Sequence, residues 1–215
     1  MAVTVDDVIV SRDGTTIHLR AGDERAVLVL EAIGDAAVAA AIDAVDARLA
    51  TGAPLAEATH AAASIRDIPR RCERRVTPSG LLVLDDRDAA TAAEVRRSLQ
   101  VVAGLTRGTD ARSFVVAGEL VTEPAEWFED HDALGRVVVR LDIAQLIVIG
   151  YGARHLHNAA GLEGSWDGES LLVETADEAY ASLHDRVHSG DVVLVTGGGV
   201  ADLSALVDRL TEVAA

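Results

Sequence analysis

Two hydrophobic periodicities divide the chain. Up to about residue 30, β-rich runs over Val3 to Val10, Thr15 to Arg20 and Ala26 to Leu30 read as short strands. Asp13-Gly14 between the first two runs predicts a hairpin. Two Ala-rich helices are expected next, one over about Asp35 to Ala50 with Gly52 as its stop, the other from Pro54 in its first turn to about Ile65. Beyond an Arg-rich stretch the pattern becomes strict alternation of strand and helix. Strands are expected at Gly80 to Asp85, Arg112 to Ala117, Gln145 to Ile149, Leu171 to Glu174 and Asp191 to Val195. The helices between and after them are expected at Ala89 to Leu105, Pro124 to Leu141, Ala153 to Ala160, Ala176 to His188 and Ala201 to Val213. Unbroken apolar runs such as 146–149 and 192–195 suit parallel strands covered by helices on both faces.

These five βα units predict an α/β fold: an open, doubly wound, mostly parallel, Rossmann-like sheet, preceded by a small N-terminal β-plus-helix segment. The expected divisions are residues 1–68, an Arg-rich connector over 69–77, and the α/β domain over 78–215.

Charge narrows the chemistry. Nineteen basic residues against 35 acidic ones give a net charge of −16, which makes nucleic acid and anionic lipid poor partners. All nineteen are Arg. Without Lys the chain has no Walker A loop, no Schiff base and no lysine general base of its own. One cysteine, Cys72, excludes an internal disulfide and a multi-thiolate zinc site; Arg71 and Arg74 beside it would favour a thiolate, and the alternative, a buried structural thiol, is the expectation. The first ten residues hold two Asp and no basic run, unlike a signal peptide, and charges interrupt every apolar stretch, so membrane insertion is not expected and a cytoplasmic setting is.

Several groups are candidates for binding. Asp85-Asp86 closes the first strand of the α/β part, where ligands of open sheets bind; the alternative is a solvated strand end whose acids favour the following helix. Thr196-Gly197-Gly198-Gly199 follows the last strand and offers backbone N–H groups to an anion, or is a plain βα turn. Arg70 and Arg71, in a cluster with Arg66, Arg74 and Arg75, suit a phosphate or carboxylate clamp, or pair with the chain's own acids. Gly150-Tyr151-Gly152 lacks the third glycine of a dinucleotide fingerprint, His155 standing there. His184 and His188 share a helix face at i, i+4 but have no third ligand, so no metal is assigned. His155 and His157 point apart. Trp127, Phe128 and Trp166 are too few to stack bases.

The order of elements resembles the second half of a Mur ligase, of the type that adds D-alanyl-D-alanine to UDP-N-acetylmuramoyl-tripeptide. Gly34 to Ala40 stands where the family has Gly-x-His-x-x-x-Asn, its His and Asn falling on Ala36 and Ala40. The family's Asp-Asp/Ser-Tyr-Asn-Ala-Asn-Pro reads Asp85-Asp86-Arg87-Asp88-Ala89-Ala90-Thr91-Ala92, and its late Lys-Gly-Ser-Arg-Gly reads Thr196-Gly197-Gly198-Gly199-Val200. His131 matches a recurring family His and is expected at a helix surface or interface. The resemblance implies a nucleotide or UDP-muramoyl-peptide-like ligand, with Asp85 and Asp86 toward a ribose or cation. The family's phosphate loop, magnesium ligands and modified lysine belong upstream of the part that this chain resembles.

The expectation is therefore a Mur-ligase-like protein of peptidoglycan precursor synthesis, with no catalytic residue assigned, inactive alone and acting as a binding or regulatory module. The alternatives are a truncated or split ligase, with ATP and Mg²⁺ only if a partner supplies the ATPase core, and a small anion- or nucleotide-binding protein that reuses the fold. Three short strands leave one apolar face bare, so a homodimer or heteromer through residues 3–50 is expected.

Overall fold

A computed structural model describes residues 2–163, 169–198 and 202–212, which fall into two units, Met1–Glu73 and Arg74–Ala215. In the first, β1 (Thr4–Ser11), β2 (Gly14–Ala21) and β3 (Glu24–Leu30) form an antiparallel sheet in that order. Ser11 faces Gly14 across the expected hairpin, and the register slips between Val5 and Asp7. Ile17, Leu19, Leu28 and Leu30 are buried against α1 (Asp35–Ala50) and α2 (Leu55–Ala62). The contact stripe of α1 is Ala37, Ala41 and Val45, at the i, i+4 spacing of one helix face, and its small side chains bring helix and sheet close. The opposite sheet face is open. Thr16 there pairs with Ile9 on one side and Val29 on the other, and Ile9, Val27 and Val29 are 51%, 54% and 60% exposed.

In the second unit the strands are β5 (Leu82–Asp86), β6 (Ser113–Ala117), β7 (Gln145–Ile149), β8 (Ser170–Val173) and β9 (Val192–Thr196), all parallel, with β4 (Glu73–Val76) along the edge of β5. The order is β4-β5-β9-β6-β7-β8, so the last strand in sequence lies between β5 and β6. The intervening helices are α3 (Ala92–Thr106), α4 (Trp127–Arg140), α5 (Arg154–Glu163), α6 (Ala176–Leu183) and α7 (Ser204–Glu212). α6 and α7 pack over Val83, Phe114, Val116, Ile147, Val193 and Val195. The alternate residues, among them Leu82, Leu84, Val115, Leu146 and Leu194, are buried toward the other face, as continuous apolar runs require. The fold is thus α/β with a doubly wound, mostly parallel sheet. No described helix is long and apolar enough to cross a membrane.

Three details correct the sequence reading. The stretch Glu73–Val76 is a strand rather than connector, and its charged side chains are those of a protected sheet edge. The helix expected to reach His188 stops at Leu183, so His184 caps it and His188 lies in the following loop; the two do not share a helix face. The last helix starts at Ser204, not directly after the glycines; Val213 and Ala201, the expected helix limits, lie outside the described residues.

At the amino edge of the sheet, Asp191 accepts the Arg112 guanidinium at 2.6 Å and the backbone N–H groups of Arg112 and His188 at 3.0 and 2.8 Å. Burial pushes this carboxyl up, but the Arg112 and His188 hydrogen bonds outweigh it and hold it below the usual range. Its stabilisation is fully present above the unfolded value of about 3.9 and is lost as pH falls through the lower folded value. Asp191→Asn should therefore flatten the acid limb of an unfolding curve followed by circular dichroism. An unchanged acid midpoint would remove Asp191 from that role.

Candidate functional site

β5, β9 and β6 end side by side at Asp86, Thr196 and Ala117, at the carboxyl edge where doubly wound sheets bind ligands. Asp85 and Asp86 both sit there, and neither is a solvated strand end: they are 0% and 2% exposed. The two oxygens of Asp85 accept a bidentate fork from Arg87, Nε at 2.7 Å and Nη2 at 2.8 Å, and Oδ2 also accepts Arg75 Nη2 at 3.2 Å. Arg87 reaches on through Nη1 to Ser204 Oγ, and Arg75 on to Asp208, so the clasp ties β5 to α7. The Asp85 hydrogen bond, against the opposing effect of burial, raises the Arg87 guanidinium above its ordinary value. Asp86 Oδ2 accepts the Thr196 hydroxyl at 3.0 Å.

The glycine turn is shaped by the neighbouring strand end. Gly197 has φ +68°, and a Cβ on it would stand 2.8 Å from the Gly118 carbonyl oxygen; a Cβ on Gly118 would stand 2.5 Å from that of Gly197. Gly198 lies over the Arg87 carbonyl. Gly199 lies outside the described residues. The α7 terminus already has an acceptor, because Asp202 takes the Ser204 N–H at 2.9 Å.

A second group lies beyond β6 and β7, in the first turns of α4 and α5 and the segments that lead into them. His131, which matches a recurring family His and reads as readily as a helix-surface or interface residue, is fully buried: Nε2 accepts the Leu120 N–H at 3.2 Å while Nδ1 meets the Trp127 carbonyl at 2.6 Å, so the proton of the ring sits on Nδ1. The Trp127 indole donates to Glu119 at 3.1 Å. Arg154 lies over both Trp127 and Tyr151, and His155 packs edge-on against Trp127 and Phe128. Burial, then the Arg154 charge, lowers His155 below its ordinary value.

Of the residues singled out from sequence, Asp85, Asp86, Thr196, Gly197 and Gly198 converge in the second unit. Arg70 and Arg71 belong to the first, where Arg70 N–H donates to Glu73 at 3.0 Å and Arg71 N–H to the Ile68 carbonyl at 3.1 Å. Arg70 has φ +58° and Cys72, buried, φ +54°. Sequence reasoning missed Arg87 as the partner of Asp85; the available signal was an arginine two residues beyond a carboxylate at a strand end. The edge does not fit a magnesium nucleotide well, since both Asp85 oxygens carry guanidinium partners and an aspartate occupies the helix terminus. No group of three His, Cys, Asp or Glu among the described residues could hold a metal.

Residues 70–199 match the family model described as "Mur ligase, glutamate ligase domain". The UDP-N-acetylmuramoyl-tripeptide–D-alanyl-D-alanine ligase of Mycobacterium tuberculosis is 31% identical over 224 residues, and that of Mycobacterium leprae 32%. Each match covers 97% of this chain and 43% of the relative, so the chain spans less than half the length of the curated relatives it matches. Among solved structures, MurF of Thermotoga maritima in complex with ADP superposes with a TM-score of 0.81 at 16% identity, over 98% of this chain and 46% of that one. A MurF crystal structure from Acinetobacter baumannii gives 0.78 at 20% identity, over 98% and 45%. These structural likenesses carry the fold.

Proposed function

Since the chain belongs to the Mur ligase family, we propose that it serves peptidoglycan precursor synthesis in the cytoplasm as a ligase-like binding or regulatory module that does not catalyse alone. The observation that supports this most is the Asp85 clasp. The resemblance assigns that carboxylate to a nucleotide, yet here its own arginines engage both oxygens. The absence of Lys points the same way. Contact with a UDP-muramoyl-peptide-like ligand at Asp86, Thr196, Gly197 and Gly198 in the second unit, and separately at Arg70 and Arg71 in the first, remains part of the proposal.

The open sheet face favours a second reading, a split ligase. Ile9, Val27 and Val29 are exposed on one side of β1–β3, and residues 3–50 would there meet a second copy or an ATPase-bearing chain that supplies ATP and Mg²⁺. One experiment separates the two. The purified chain is given ATP, Mg²⁺, UDP-N-acetylmuramoyl-tripeptide and D-alanyl-D-alanine, alone and with a chain carrying a phosphate loop. No phosphate release in either mixture supports the module; release only in the second supports the split ligase. Turnover that tracks with this chain alone through repurification overturns both.

A further inference from the structure

The face of the three-stranded sheet that α1 and α2 leave open is ordered in rows. Directly paired residues share a face, so the register sets Ile9, Thr16 and Val29 in one row and Asp7, His18 and Val27 in the next. A third row holds Arg20 and Arg25, with Asp6, at the register slip of β1, accepting Arg20 Nε at 3.3 Å. The face is thus apolar toward the β1–β2 hairpin and charged at its other end. An open trough of about 520 Å³ crosses the charged end, lined by Asp6, Asp7, His18, Arg25 and Val27. Two charges there are unmet: among the described residues Asp7 accepts only the Val8 N–H, at 2.9 Å, and Arg25 forms no ion pair.

Asp7 and Arg25 lie on opposite edge strands, about 10 Å apart across the sheet, and one row apart along it, so they do not meet within one chain. A second copy brings them together in one orientation. With a two-fold axis parallel to β2, β1 of one copy lies over β3 of the other and every row faces itself. Ile9 then stands over the second copy's Val29, and Asp6 and Asp7 face its Arg25, whose long side chain lies in the trough. An axis across the strands instead sets the Ile9 row against the Arg20 and Arg25 row, which buries arginine on valine. The face is therefore complementary to itself in charge and in polarity, but only about the first axis.

We propose that this face seats a second copy of the chain, in a two-fold sandwich of aligned sheets. The proposal rests on the open-face reading given above and commits that face to one partner. Three strands of seven or eight residues offer a patch of roughly 14 by 25 Å, about 350 Å² from each copy, against the 800 Å² or so of a stable interface. The net charge of −16 on each copy also opposes approach until salt screens it. Both points make the dimer weak, with a dissociation constant on the order of 10–100 μM.

Sedimentation velocity of the full chain at about 0.15 M salt, from about 2 μM to about 1 mM, should move from the 22.5 kDa chain toward twice that mass. V29E, at a position 60% exposed, should raise the dissociation constant at least about tenfold, because symmetry buries the introduced charge twice. D7R and R25D should each weaken association about tenfold, roughly threefold at each of two equivalent contacts, and D7R/R25D should regain it. Thr16 lies on the axis and Cys72 is buried, so T16C should join chain to chain through a bis-maleimide that spans about 10 Å. The proposal is overturned if the chain stays monomeric at about 1 mM, if V29E associates as the parent does, if the double reversal is no stronger than either single one, or if T16C does not cross-link. A monomeric chain that captures a phosphate-loop chain through this face also overturns it and gives the face to that partner. Sedimentation reads the face and phosphate release reads the reaction, so either reading can fail while the other stands.

Discussion

Arg87→Ala should lower the stability of the α/β unit by about 3 kcal/mol, because it strips a buried carboxylate of its bidentate partner. Asp85 is 0% exposed, so water cannot replace the lost fork. The same change releases Ser204 at the start of α7. Arg75→Ala is the internal comparison. Its single contact to Asp85 is longer, at 3.2 Å, and its side chain is 30% exposed, so about 1 kcal/mol is expected. Urea unfolding read by circular dichroism measures both, and for a chain of this size the Arg87 variant should melt roughly 6–12 °C lower. Equal costs for the two arginines would show that the fork geometry carries no special weight.

Gly135→Val should cost about as much, on the order of 3 kcal/mol, through overpacking rather than charge. Gly135 lies where α4 crosses α5. A Cβ there would stand 2.3 Å from the Leu156 carbonyl oxygen and 2.8 Å from the Ala159 methyl. Neither neighbour can yield without moving helix backbone. Two other helical glycines, Gly104 in α3 and Gly161 in α5, meet nothing within 4 Å. There alanine should stabilise by about 0.5–1 kcal/mol, the ordinary helical preference over glycine. Opposite signs at positions 135 and 161 separate packing from propensity in one set of thermal melts; destabilisation at both would argue that backbone flexibility, not contact, is at stake.

The central strands were legible because burial on both faces leaves an unbroken apolar run, as in residues 146–149 and 192–195. β4 was not, since Glu73-Arg74-Arg75-Val76 carries the polarity of a sheet edge, which in sequence looks like a linker. Val187 packs against the core from the loop beyond α6, and that apolar position extended the helical pattern past its true end at Leu183. The position of Asp85 could be read from its strand, but its state could not. Its partners stand ten residues before it and two after, and the Ser204 that holds Arg87 stands 117 residues farther on. His131 looked peripheral because its spacing places it on a helix without naming a partner, while the Leu120 N–H and Trp127 carbonyl that bury it come from the preceding loop and turn.

The order of the strands sets a timetable for synthesis. β5 and β6 have no ladder with each other; each is hydrogen bonded to β9, the final strand. A ribosome must therefore translate residues 192–196 before the middle of the sheet can close. Until then the nascent chain holds two apolar strands apart around a vacant slot, exposed to chaperones and to like strands on neighbouring polysomes.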